Sequence, residues 1–78
     1  MERRDSLDAI DHSILRILSL YECLDQLELW YEIGEDDAIP GNVTEEEVFS
    51  RLESLRRRGF VKSIAEPHGI AKWAVKRG

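Results

Sequence analysis

The chain has 78 residues, with 11 Lys or Arg against 16 Asp or Glu and a formal net charge of −5. That length allows one domain, 1–78, with a single modest core, marginal enough that a homodimer would add useful stability. The charged start MERRD is followed by no apolar signal core, and no apolar run nears the roughly 20 residues that cross a bilayer, so the expectation is a cytoplasmic domain with no membrane partner. A lone Cys23 excludes an internal disulfide and reads as a small packing residue.

In chain order, Ile10, Ile14, Ile17, Leu18 and Tyr21 make a helical apolar face entered after Leu7 and Asp8, which predicts helix one over about 8–22. No Gly or Pro follows, but Asp25 with Glu28 has the spacing of an N-cap and its N3 partner, and Leu24 with Leu29 that of a hydrophobic staple. A break is therefore expected near Cys23 to Asp25, with helix two over about 25–34, ending at Gly34. Its core residues are expected to be Leu27, Trp30 and Tyr31. Ile33 then falls on the far side as a candidate contact residue. Residues 35–43 read as an acidic loop.

Helix three, 44–58, has the fullest boundary signals. Thr44 can cap it, Glu47 can reach back to the cap's own N–H, and Val43 with Val48 completes a staple. Val48, Leu52 and Leu55 follow one buried stripe, and Gly59 stands where a left-handed residue ends a helix at least cost. Phe60 to Ala65 then leaves as a strand. Pro67 cannot donate to a ladder and Gly69 tolerates positive φ, so Glu66 to Gly69 reads as a turn. From Ile70 the alternation returns, with Trp73 and Val75 on one face and Lys72 and Lys76 on the other, completing a hairpin over 60–76.

Charge is divided along the chain. Residues 1–47 hold 14 acids against three Arg, a net of −11, whereas residues 48–78 hold eight bases against Glu53 and Glu66, a net of +6. The end of helix three and the hairpin can therefore form a basic pole of Arg56, Arg57, Arg58, Lys62, Lys72, Lys76 and Arg77, able to meet phosphates. A plainer explanation competes: acids at the start of a helix and bases at its end both complement its dipole.

The RLESLRRRGFV stretch, with W-A-V in the returning strand, resembles the winged helix-turn-helix superfamily of transcription regulators; LDAIDHSILRIL is also similar to the opening helix of the Lrp/AsnC regulators over those residues. The implied fold is α+β, a small winged helix of three helices followed by a two-stranded antiparallel wing. The implied partner is duplex DNA, with helix three in the major groove and the wing along the backbone or in the minor groove. By position, Glu46, Ser50, Glu53, Ser54 and Arg57 would face the groove, with Lys62, His68, Lys72 and Lys76 on or beside the wing and Arg58 at the basic pole.

Two features depart from that pattern. The turn that should come nearest the bases is Glu45, Glu46 and Glu47, and Glu53 can pair with Arg57 four residues on. The connection GEDDAIPGNV is also long where the motif has three or four residues. An alternative function is therefore an acidic winged-helix interaction module without DNA affinity, meeting a protein partner through its acidic half, with Leu15, Leu29, Ile33 and Ile39 as interface candidates. No enzyme, metal or cofactor is expected. His12 and His68 have no spacing tie to Cys23 or a serine, Glu35 to Asp37 lacks the alternating ligands of a calcium loop, and no phosphate-cradling glycine loop appears. Trp30 and Trp73 both read as core residues.

Overall fold

A computed structural model describes residues 7–36, 39 and 43–76. Within these residues the chain is α+β: helices α1 (Ala9–Tyr21), α2 (Gln26–Gly34) and α3 (Glu45–Arg57), and strands β1 (Leu24–Asp25), β2 (Val61–Ile64) and β3 (Lys72–Val75). The strands form one antiparallel sheet in the order β1-β3-β2. MERRD, the middle of the acidic loop and Arg77 lie outside the described residues.

The helix starts follow from side-chain caps. Asp8 accepts from the Asp11 N–H at 2.9 Å while the Asp11 carboxylate accepts from the Asp8 N–H at 3.3 Å, and Asp25 and Glu28 repeat this reciprocal box at 2.8 and 3.0 Å. Thr44 caps α3 by accepting from the Glu47 N–H at 3.1 Å. The return arm expected of Glu47 is absent; its carboxylate turns instead to Arg51 at 3.2 Å.

The break between α1 and α2 is sharper than a simple cap requires. Glu22 has φ 63° and ψ −62°, and the Cys23 N–H donates to the Tyr21 carbonyl two residues back. This is the strained hand of the γ-turn, in a region that L residues rarely adopt. It reverses the chain so that Leu24 and Asp25 pair with Trp73 and Lys72. The expected two-stranded hairpin thus gains a third strand. A two-residue strand has no alternation to read, so only its tertiary partner defines it. The hairpin itself has the register Val61↔Val75, Lys62↔Ala74, Ser63↔Trp73 and Ile64↔Lys72.

Gly59 closes α3 at φ 87°, as its position predicts. Gly69, by contrast, has no positive φ; the Pro67–His68 turn reverses the chain without one.

The core lies where the three helices meet the sheet. Ile14, Ile17 and Leu18 from α1, Leu29 and Ile33 from α2, Val48, Leu52 and Leu55 from α3, and Val61 and Trp73 from the sheet are buried together. Helix α2 is turned relative to the expectation. Ile33 and Leu29 are fully enclosed, so neither is a contact residue, while Leu27, Trp30 and Tyr31 face out at 51%, 36% and 66% exposure. Tyr21 is likewise exposed rather than part of the α1 core face.

The other interface candidates also belong to the interior. Ile39 is buried against the core, its N–H donating to the Asp36 carbonyl at 3.0 Å, and Leu15 is half-buried against the same cluster. The start of the α2–α3 connection is thereby tied down. Asp36 accepts from the buried Ser13 hydroxyl and from Arg16, both at 2.7 Å. Burial of Ile39 adds apolar area to a small core.

Candidate functional site

Helix α3 presents three distinct flanks around its buried stripe. Toward α1, Arg51 is bound by Asp8, by Asp11 at 3.4 Å and by Glu47 at 3.2 Å, so its charge is spent inside the fold. Burial pushes the Asp8 carboxyl up, but the Arg51 hydrogen bond, the Asp11 N–H and the guanidinium charge outweigh it and hold Asp8 below its ordinary value. The hydrogen bond to Asp8 in turn holds Arg51 above its own.

Toward the sheet, exposed Phe49 meets Trp73 edge to face, with ring centroids 6.3 Å apart. This contact adds to the packing of α3 on the hairpin. The outward stripe, reached at helical spacing from the buried one, carries Glu46, Ser50, Glu53 and Arg57.

The acidic first turn is less uniform than the sequence suggests. The Glu45 carboxylate accepts from Gln26 Nε2 at 3.2 Å and Glu47 holds Arg51, which leaves Glu46 on the outward stripe. At the other end, Glu53 pairs with Arg56 at 2.7 Å rather than with Arg57. Arg57 therefore stands exposed at the surface, with no ion pair among the described residues. Arg58 lies over the Phe60 ring, its guanidinium carbon 5.5 Å from the ring centroid.

The C-terminal half of α3 and the hairpin enclose an open groove of about 520 Å³, lined by Glu53, Arg56, Val61, Lys62, Ser63 and Lys76. The Lys76 N–H donates to the Phe60 carbonyl at 2.9 Å, which extends the β2–β3 pairing and brings Lys76 into the groove. Arg56, Lys62 and Lys76 thus line the groove where helix end meets strand together with one acid, Glu53, which pairs with Arg56, so the lining keeps a net positive charge.

Other predicted residues do not join it. Lys72 sits half-buried on the central strand, paired in register with Asp25 and Ile64. His68 is at the exposed hairpin turn, Ser54 is half-buried on the α1 flank, and exposed Ser50 lies farther up the helix. Sequence reasoning placed Arg56 in the basic pole but not among the contacts. The missed signal was its spacing: Glu53 at i−3 leaves Arg56 on the sheet flank and frees Arg57.

A second surface was not anticipated. Leu24, Leu27, Trp30 and Tyr31 line a shallow groove of about 430 Å³ with Glu28 and Glu32. The Trp30 indole N–H donates to the Val43 carbonyl at 2.7 Å, so its ring is held in place while one face stays open.

Among the described residues, no three His, Cys, Asp or Glu side chains converge where a metal ion could sit, and no helix is long and apolar enough to cross a membrane. Comparison with known proteins yields no match: no family model, no curated protein and no solved structure resembles the chain closely enough to register.

Proposed function

We propose that the domain is a winged helix that binds duplex DNA as a transcription regulator does, with the β2–β3 hairpin as its wing. The supporting observation is that Arg56, Lys62 and Lys76 line one groove whose single acid, Glu53, pairs with Arg56, with Arg57 at the surface on the outward stripe beside it. The element order, with β1 completing the sheet beside β3, accords with this reading.

The geometry favours phosphate contacts over base reading. Phosphate contacts position a protein on DNA, and base edges specify the sequence. Here the first turn of α3 still carries Glu46 outward, so insertion by that turn would bring a carboxylate toward a polyanion. The C-terminal half of α3 and the wing avoid this. Docking there places the guanidinium of Arg57 and the ammonium groups of Lys62 and Lys76 against the backbone.

A fluorescence titration of mixed-sequence duplex at several salt concentrations tests the proposal. Three or four phosphate contacts give a log–log salt slope of about −3 to −4. Lys62→Glu with Lys76→Glu should abolish the measured affinity while leaving thermal unfolding unchanged, because both side chains are exposed. Absence of any duplex affinity at low salt would remove the reading.

A second reading is an interaction module without DNA affinity. It is favoured by the exposed apolar groove on α2, in the acidic half of the chain. The same titration separates the two.

A further inference from the structure

We infer that the outer face of α2 is a docking site for a basic amphipathic helix of another protein. The inference concerns a different element from the DNA reading and does not rest on it.

The face is built and already ordered. Leu27 and Tyr31, one turn apart, form a ridge, with Leu24 from β1 extending it and Trp30 as one wall. The hydrogen bond from Trp30 to Val43 fixes that wall, and the Tyr21 hydroxyl donates to the Glu32 carboxylate at 3.4 Å on the other side. Apolar side chains at i and i+4 leave a furrow that accepts the matching ridge of a second helix. Exposed Tyr and Trp are also the side chains that most often dominate binding energy at such contacts.

Charge decides the occupant. Residues 22–36 contain Glu22, Asp25, Glu28, Glu32, Glu35 and Asp36 and no Lys or Arg. Glu28 and Glu32 stand a helical turn apart on the flank away from Trp30. A second copy docked face to face would bring this acidic flank against itself, and nucleic acid or an anionic lipid surface would be repelled. A helix with an apolar stripe and arginines along one side satisfies both the ridge and the flank.

The probe is a pair of synthetic helical peptides with the same leucine stripe, one flanked by arginine and the other by glutamate, titrated into the isotope-labelled full chain. The arginine peptide should shift amide resonances along α2 around Leu27, Tyr31 and Glu32, with the glutamate peptide silent. Leu27→Ser and Tyr31→Ser should each weaken binding by more than about 10-fold, the loss expected of an anchor residue. Both residues are exposed, so the fold should persist. Glu32→Lys should transfer the preference to the glutamate peptide; Glu28 is left intact because its carboxylate caps α2. The proposal is overturned if neither peptide binds, if both bind equally, or if binding survives the two apolar substitutions. It is equally overturned if the shifts fall on α3 and the hairpin, or if the chain dimerises in sedimentation through a contact that Leu27→Ser abolishes.

Discussion

Helices α2 and α3 each begin at a side-chain N-cap and each bury an apolar stripe at i, i+4 spacing, yet they differ in what their outer faces hold. In α3 everything away from Val48, Leu52 and Leu55 is polar except Phe49, so one stripe alone can face the core. In α2 the stripe Leu29–Ile33 and the set Leu27–Trp30–Tyr31 are both apolar, and either could have been buried. Periodicity reports that a helix has an apolar face. It selects the buried face only when the opposite one is polar.

The largest test of this contrast is to cut each face of α2 separately. Ile33→Ala should cost about 2–5 kcal/mol, as truncation of an enclosed side chain does, measured by urea denaturation. Tyr31→Ser, on the outer face, should stay within about 0.5 kcal/mol. The reverse result would turn α2 back to the orientation expected from its larger apolar residues.

A smaller effect separates the two helix starts. Glu28→Ala removes the bond to the Asp25 N–H and should cost about 1 kcal/mol, largely retained in high salt. Glu47→Ala removes only an exposed ion pair with Arg51 and should cost no more than about 0.5 kcal/mol, vanishing as salt is added. Equal losses would mean that α3 also uses the reciprocal box.

The smallest effect concerns the tie between α1 and α3. Asp8 is held below its ordinary carboxyl value in the folded chain, so its contribution is full above the unfolded value of about 4 and is lost as pH falls through the folded value. Asp8→Asn keeps a good cap while removing the charge. The stability gap between wild type and Asp8→Asn should therefore be under about 1 kcal/mol at neutral pH, the pair being half-exposed, and should close on acidification. A gap that widens below about pH 4 would contradict the assigned direction.

Of the candidate site, the basic half was legible and its assembly was not. Clustering of Arg56 to Arg58 with Lys62 and Lys76 after a run of acids is visible in the bare sequence, as is the strand after Gly59. Which cations meet is a matter of register and of competing pairs. Lys72 lands on the central strand beside Asp25 because β1 inserts there, and Arg57 is available because Glu53 chooses Arg56. Arg51 looks like one more member of the basic pole in sequence, but Asp8 and Asp11, far away along the chain, hold it.

Local chemistry by itself determined the three helices, their N-caps and the left-handed stop at Gly59, because each depends on residues within about one turn of one another, and the hairpin after it, because its strands alternate on either side of a Pro–Gly turn. Tertiary structure decided the rest: the third strand, the inward fold of Ile39, the rotation of α2 and the partners of the arginines. These depend on contacts between residues distant in sequence. A nine-residue helix with apolar residues on two sides does not announce which side is buried; that is decided by its packing against α1 and α3 and by the entry of the chain through β1, paired with β3.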